Sequence, residues 1–346
     1  MSESLVSIVV PMYNASSCVS KMIGSLLLQD YANFELIIVD DCSTDDSAAV
    51  VDAFCDSRIK LFKMEKNVGP GPAKNFGIKQ AAGEFIMFVD CDDYVEHNFI
   101  SSLLFNMSDV DVVVSGYYQE YLNGEGNVDH IVEVLPPILN SSNFDGVTLG
   151  LLDNAKTFSF CCQKIYRADI IKDFDVCFPQ KMHSEDFFFN CQYFSHVSKI
   201  VSIQEILYHY TKPVTKTLTS GYLPDFYSLI FERNKASIDL IEKIDEYKGE
   251  ARAINSTIYL KHVVSALTYN CFFESGMNFI SRNKFIRSVL KTPECKDAIS
   301  NAKFMSKSSF VINSVMKTRC SLIIQFFVFV IYLVKNRMGF IFDKLK

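Results

Sequence analysis

The feature that most constrains this chain is the rhythm of its first hundred residues, where short apolar runs of strand length alternate with amphipathic stretches of helical length. A run that is apolar throughout belongs to a strand covered on both faces, so the rhythm predicts a parallel sheet with helices on either side. The expected strands are 5–10, 34–39, 59–64, 84–89 and 110–114, and the expected helices are 16–29, 44–55, 72–82 and 96–106. From Gly116 to Pro137 the sequence becomes Tyr-rich and Gly-punctuated, the pattern of a hairpin or long excursion. Residues 157–210 mix short strands with a helix beginning near Ser184, and beyond Tyr222 the periodicity is helical, most clearly over 226–243 and 252–273. The expected fold class is therefore α/β. A doubly wound, mostly parallel sheet flanked by helices has its two halves at 1–115 and 116–220, and a C-terminal helical region follows at 221–346. With 346 residues, 49% hydrophobic content and 30 Phe, the chain has the material to bury such a core.

Charge is divided along the chain. Residues 301–346 carry eight cations (Lys303, Lys307, Lys317, Arg319, Lys335, Arg337, Lys344, Lys346) against Asp343, so this segment is +7 and residues 1–300 are −13. A nucleic-acid binder carries its basic patch on the folded body, so the division argues against nucleic acid as a partner and suits a basic tail facing anionic lipid. Within the tail, 321–334 (SLIIQFFVFVIYLV) is apolar and flanked by Arg319, Lys335 and Arg337. Its length falls short of the roughly 20 residues a helix needs to cross a bilayer, so it is expected to lie in the membrane interface. A buried core helix or a homodimer contact is the alternative. The eleven cysteines show no CxxC spacing and no secretory signal opens the sequence, so reduced thiols in a cytosol are expected in place of disulfides or zinc.

The strongest chemical signal is Asp90-Cys91-Asp92-Asp93, directly after the apolar run 84–89. Carboxylates crowded at one strand end repel one another unless a cation neutralises them, and few oxygen ligands with open positions suit Mg²⁺ or Mn²⁺. Alone, such a motif would be a solvated turn. A second acidic strand end, Asp40-Asp41, changes that: its strand is expected to neighbour the first, so that both tips meet in one crevice at the carboxyl edge of the sheet, where α/β proteins bind ligands. Ser43 followed by Asp46 has the pattern of a helix N-cap with an acidic first turn. Pro11-Met12-Tyr13-Asn14 ends the first strand with a rigid turn and an aromatic face on which a base could stack. The segment from Asn67 to Gly77 is a Gly/Pro loop entering a helix, with Lys74 in an early turn, and it would suit a diphosphate. It is not a dinucleotide fingerprint, because Lys74 stands where the third Gly belongs.

Taken in order, Ser7-Ile8-Val9-Val10-Pro11-Met12-Tyr13-Asn14, then Phe34-Glu35-Leu36-Ile37-Ile38-Val39-Asp40-Asp41-Cys42-Ser43-Thr44-Asp45, then Ala73-Lys74-Asn75-Phe76-Gly77, then Phe88-Val89-Asp90-Cys91-Asp92-Asp93 resemble the family 2 glycosyltransferases of GT-A fold, of bacterial surface-polysaccharide type. The resemblance covers residues 5–110 and makes 1–115 the donor half and 116–220 the acceptor half of the domain. It implies that Pro11, Tyr13 and Asp41 hold the uracil end of a UDP-sugar, with Asn14, Asp40 and Cys91 lining the same site, Cys91 as a small filler. It implies that Asp90 contacts ribose or metal and that Asp92 ligates the metal on the diphosphate. Lys74 stands where the family usually has Arg, which keeps the charge without the bidentate grip. Cys162-Gln163-Lys164-Ile165-Tyr166-Arg167 resembles the segment before the acceptor site, which makes Lys164 an acceptor-side residue. His183-Ser184-Glu185-Asp186-Phe187-Phe188-Phe189 resembles the family's acidic pair at a helix start, with Glu185 as accompanying acid and Asp186 as catalytic base. A helix cap complementing its dipole is the plainer reading of that pair. His209, within Tyr208-His209-Tyr210, is the histidine considered as an extra metal or phosphate contact, against a satisfied core histidine.

The function this implies is inverting, metal-dependent transfer of a sugar from a nucleotide diphosphate donor to a glycan or lipid-linked glycan, at the cytoplasmic face of the cell membrane. Three other readings are weaker. A phospho-receiver needs its acids after the first strand, where Pro11-Met12-Tyr13 stands. A sugar nucleotidyltransferase opens with a Gly-rich basic loop there. A non-catalytic saccharide binder has no need of both acidic motifs.

Overall fold

A computed structural model describes residues 4–139, 142–181, 183–212, 223 and 225–337. The chain separates into two compact units, Met1–Phe144 with Leu152–Thr217, and Asp145–Leu151 with Leu218–Lys346.

The first unit is an α/β layer. In chain order it contains β1 (Val6–Met12), α1 (Val19–Leu27), β2 (Phe34–Asp40), α2 (Ser47–Asp52), β3 (Ile59–Lys63), α3 (Pro70–Gln80), β4 (Phe85–Phe88), β5 (Tyr94–Val95), α4 (Phe99–Phe105), β6 (Val112–Leu122), β7 (Val128–Val134) and β8 (Ser142–Asn143). Then come α5 (Gly146–Asn154), whose first residues belong to the second unit, β9 (Lys164–Arg167), α6 (Ala168–Asp173), α7 (Glu185–Phe194) and β10 (Lys199–Lys212). The sheet order is β3-β2-β1-β4-β9-β6-β10-β5, with β7 added to β6 and β8 to β10.

β1 and β2 are buried along their whole length, which is why their sequences do not alternate. Glu35 within β2 is tolerated because its carboxylate accepts from Ser7 Oγ at 2.5 Å, Lys60 Nζ at 2.6 Å and the Ala82 N–H at 2.7 Å. β3 is the half-exposed edge. The parallel half of the sheet thus follows the sequence, with strands displaced by one or two residues. The second half is mixed: β9 enters antiparallel between β4 and β6, while β6 and β10 run parallel. The Tyr-rich stretch forms the β6–β7 hairpin.

One neighbour relation differs from expectation. β1 stands between β2 and β4, so the two acidic tips flank the end of β1 and are not adjacent. The chain moves outward from β1 to β2 and β3, then crosses back to start the other wing with β4. α3 lies on β1 and β2 through small residues. A Cβ on Gly77 would come 2.4 Å from Val9 Cγ1, so only glycine allows this approach. Behind α7, Phe178 and Phe189 stack at 4.1 Å, and Phe88 meets both edge-on at 5.2 and 5.4 Å. Such aromatic pairs each add about 0.5–1.5 kcal/mol beyond burial and fix where α7 begins.

The second unit is helical: α8 (Phe226–Ile244), α9 (Gly249–Tyr269), α10 (Phe279–Lys291), α11 (Pro293–Asn301), α12 (Lys307–Lys317) and α13 (Ser321–Arg337). α9 supplies Tyr259, Leu260, Val263, Val264 and Leu267 to a core completed by Ile286, Cys295, Ile299, Met316 and Ile324. α13 docks by Ile324 and Val328, with Phe327 and Ile331 beside them, and polar residues secure its first turns. Asn283 Nδ2 donates to Gln325 Oε1 at 2.9 Å, Gln325 Nε2 to the Phe279 carbonyl at 2.9 Å, and Ser321 Oγ to Asn283 Oδ1 at 3.2 Å. Leu322, Ile323, Phe326, Phe329 and Val330 face outward. No helix among the described residues is long and apolar enough to cross a membrane. Lys344, Lys346 and Asp343 of the tail lie outside the described residues.

Candidate active site

The ends of β1 and β2 are tied to each other. Asn14, at φ 48°, donates its N–H to Ser43 Oγ at 3.0 Å, and its side-chain oxygen accepts the Thr44 N–H at 2.8 Å. Asp40 accepts the Ser43 N–H at 2.9 Å. Ser43 is therefore not the cap of α2. Asp46 holds that position without a side-chain hydrogen bond, because the left-handed turn at Cys42 (φ 63°) swings Ser43 over the end of β1. Asp41 is buried and accepts the N–H groups of Val68 and Gly69, each at 2.8 Å, so it fixes the loop that starts α3. Gly69 takes φ 89° there. Pro11 is the penultimate residue of β1, and Tyr13 just beyond the strand is 47% exposed, leaving an open aromatic face at the sheet's carboxyl edge.

The three acids after β4 have different surroundings. Asp93 is buried and accepts from Tyr208 OH at 2.6 Å and the Thr211 N–H at 2.8 Å, and burial pushes its carboxyl well up. It binds β10 to the site and is not available to a ligand. Asp92 is exposed at the mouth, yet it is pushed up to about 6, by desolvation first and by Asp90 second. Asp90 is partly open, with Cys162 Sγ at 3.5 Å from Oδ2. Between them Cys91 is half-buried, its thiol raised well by burial and then by Asp92. It is a neutral filler.

Lys74 joins these acids to α7. Its ammonium, with 2% of the side chain exposed, lies 2.8 Å from Asp186 Oδ1, 3.5 Å from Asp90 Oδ1 and 4.0 Å from Glu185 Oε1. Burial works against this charge, but Asp186 and then Asp90 outweigh it, and Lys74 is held well above its ordinary value. Asp186 has its other oxygen on the Cys161 N–H at 3.2 Å. Burial would raise its carboxyl, and Lys74 with Cys161 brings it below the ordinary range instead. Glu185, which lacks so close a cation, is pushed up to about 7 by desolvation, with Lys74 opposing and Asp186 adding to the rise. Ser184 precedes the pair in a left-handed conformation (φ 62°) and makes no side-chain cap.

Among the described residues, Cys161, Cys162 and Asp186 form a cluster compact enough to hold an ion. The Lys74 ammonium already stands there, 3.9 Å from Cys161 Sγ, and both thiols are raised, that of Cys161 by burial and that of Cys162 by its contact with Cys161 and then burial. The charge a metal would supply is thus supplied by the chain itself.

Two expected residues are turned elsewhere. Lys164 is buried beneath the site with its ammonium on the Phe160 carbonyl, and burial lowers it to about 8. It braces the loop before β9 from within the core. His209 has Glu120 on Nδ1 at 2.8 Å and Glu96 on Nε2 at 2.9 Å, and it stacks on Tyr94 at 4.0 Å. With both nitrogens engaged it is not brought to Asp90 and Asp92. Glu96 and Glu120 escaped the sequence reading, although Glu120 amid tyrosines of a strand is a signal of an acid with a buried partner.

Residues 7–174 match the family model described as Glycosyl transferase family 2. Among curated relatives the chain is similar to Glycosyltransferase GlyG of Streptococcus pneumoniae, 34% identical over 225 residues that cover 61% of this chain and 72% of that protein. It is also similar to the poly(ribitol-phosphate) beta-N-acetylglucosaminyltransferase TarS of Staphylococcus aureus, 30% identical over 232 residues. That match covers 65% of this chain but 39% of TarS, so the chain spans about two fifths of that relative's length. Among solved structures, Staphylococcus aureus TarS 1–349 in complex with UDP-GlcNAc aligns with a TM-score of 0.63 at 21% identity, covering 96% of this chain and 92% of that one. At that identity the likeness speaks for the fold, and it agrees with the expected GT-A arrangement and helical C-terminal region. With its strand-end motifs, its sheet and these relatives taken together, the chain belongs to glycosyl transferase family 2.

Proposed function

We propose that this chain transfers a sugar, in one inverting displacement, from a UDP-sugar to a saccharide or lipid-linked saccharide. The observation that carries the reading is the Lys74 junction, in which one buried ammonium lies 3.5 Å from the donor-side Asp90 and 2.8 Å from the acceptor-side Asp186. The UDP-GlcNAc bound in the TarS structure supports the donor class, and the poly(ribitol-phosphate) in the name of TarS supports transfer to a hydroxyl-bearing polymer.

Tyr13 offers the nucleobase a face, and Asp41 shapes the loop that borders it. Asp90 and Asp92 fit a divalent cation: both are oxygen donors at an open edge, and Asp92 is raised by desolvation first and by Asp90 second, the latter a repulsion that a cation would relieve. Mg²⁺ or Mn²⁺ bound there supplies positive charge to the diphosphate. Lys74 keeps Asp186 ionised at neutral pH, ready to take the proton of the attacking hydroxyl. A second reading of the base is favoured by a specific observation. Both Asp186 oxygens already accept hydrogen bonds, while Glu185 is poised at about 7, the range in which general bases work at neutral pH.

The outward face of α13, with Phe326 71% and Leu322 54% exposed, is proposed to lie on the cytoplasmic surface of a membrane, near the cations Lys317 and Arg319. A homodimer is the alternative for that face.

The test is UDP release from a panel of UDP-sugars with Mn²⁺ or Mg²⁺, with nucleotide binding followed by thermal shift. Release from at least one donor, lost on chelation, is expected. Pyrophosphate as the product would identify a nucleotidyltransferase, and no stabilisation by UDP would sink the donor reading.

A further inference from the structure

Next to the Lys74 junction is a fixed aromatic surface that none of these roles uses. Phe160 is 37% exposed, yet its backbone is held: its carbonyl accepts the Lys164 ammonium and, at 3.2 Å, Asn190 Nδ2. Asn190 in turn accepts from Tyr166 OH at 2.8 Å and donates to the Phe158 carbonyl at 2.6 Å, so the brace reaches into the core of α7. The ring is supported as well. Tyr117 of β6 meets it edge-on at 5.9 Å, and Tyr210 of β10 leans against it at 5.6 Å. Tyr117 is 3% exposed and forms the wall behind.

Position gives this surface its meaning. The next N–H in the chain, that of Cys161, donates to Asp186, and Cys162 touches Asp90. The exposed, immobilised ring therefore belongs to the residue next to Cys161, whose N–H holds the acid proposed as base. The buried lysine beneath it has no ligand-facing role, so its burial is repaid by the rigidity of Phe160. A flat apolar face beside carboxylates matches the C–H face of a pyranose, which stacks on an aromatic ring and leaves its hydroxyls free for polar partners. The carboxylates of Asp90, Glu185 and Asp186 disfavour an anionic ring at this point.

We infer that Phe160, backed by Tyr117 and Tyr210, is the platform on which a neutral acceptor pyranose stacks, so that its hydroxyl faces the Glu185–Asp186 pair. The inference rests on the glycosyl-transfer reading and gives it an acceptor subsite. Lys164 and Asn190 act through Phe160 as positioning residues.

The experiment is saturation-transfer NMR on the full chain with UDP and the diamagnetic Mg²⁺, using methyl glycosides of glucose, galactose, mannose and N-acetylglucosamine as probes. At least one should receive saturation, strongest on the ring protons of a single face. Phe160→Ala and Phe160→Leu should weaken its Kd by about fivefold or more, and Phe160→Tyr should keep it. The thermal shift produced by UDP should be the same in all four proteins, which shows that the fold and donor site survive. If no probe receives saturation from the native chain, or Phe160→Ala binds as the native chain does, the platform is refuted. Loss of the UDP shift in the native chain would refute the donor reading instead.

Discussion

Lys74→Met keeps the length and stem of the side chain and removes the charge that three carboxylates share. The cost can be worked from the contacts. The Asp90 contact, at 3.5 Å with that side chain 36% exposed, is screened by water and contributes little. The Asp186 contact, at 2.8 Å with 2% and 12% of the two side chains exposed, carries most of the effect. Breaking one partner of such a buried pair costs about 3–5 kcal/mol, because the remaining charge is stranded. The sign with pH separates this from simple loss of packing. In the native chain Asp186 is lowered, so its contribution is present above the ordinary carboxylate value and is lost as pH falls through its lower folded value. Without Lys74, burial raises the same group, and its destabilisation is then relieved as pH falls. The deficit of Lys74→Met should therefore shrink between pH 8 and pH 5.5, as followed by urea unfolding with circular dichroism. Adding Asp186→Asn should recover more than about 1 kcal/mol of it. A single variant within about 1 kcal/mol of the native chain at pH 8, or strict additivity in the pair, would refute the buried junction.

Three further outcomes follow from the same geometry. If Glu185 is the base, the rate at saturating metal falls with a midpoint near 7, about tenfold from pH 8 to pH 6, and Glu185→Gln abolishes it; if Asp186 is the base, the plateau runs below the ordinary carboxylate range and Asp186→Asn stops turnover while UDP still binds. Asp92→Ala should remove metal-dependent turnover with the melting temperature of the metal-free protein unchanged or higher, since an acid raised to about 6 disfavours the fold at neutral pH, and a variant retaining most activity would exclude Asp92 as a ligand. Phe326→Asp with Leu322→Asp should abolish co-sedimentation with anionic vesicles and leave the oligomeric state unchanged; a shift from dimer to monomer by light scattering would assign that face to a partner chain.

How much of this was legible in the sequence depends on the range over which each signal acts. β1 and β2 announce themselves because burial on both faces imposes an unbroken apolar run, and the acids that matter stand just where such runs stop, at the ends of β2 and β4. β9 does not. Its four residues hold no period, and its place between β4 and β6 is set by partners at Phe85–Met87 and Val112–Val114, far off in sequence. Lys74 shows the same limit in the site. Near the start of a Gly-rich helix it has the local signature of a phosphate ligand, and nothing nearby reveals that Asp186, 112 positions later, is its partner. His209 and Lys164 illustrate the same limit: a short motif gives residue type, and the direction of a side chain is decided by packing against distant strands.

The run Asp90-Cys91-Asp92-Asp93 shows how packing divides labour within a motif that composition treats as uniform. Three carboxylates at one strand end repel each other, and a metal for two of them does not explain the third. Asp93 resolves the matter by turning inward, where Tyr208 and Thr211 of β10 satisfy it, so the third acid is a tie between the donor edge and the far half of the sheet. Tyr208 OH also lies 3.2 Å from the Asp90 N–H, so the tie extends to the backbone of a proposed metal ligand. The inward acid fixes the frame against which Asp90 and Asp92 are aimed. That is why the motif needs an acid its ligand never touches, and why position 93 should tolerate substitution less well in folding than position 92.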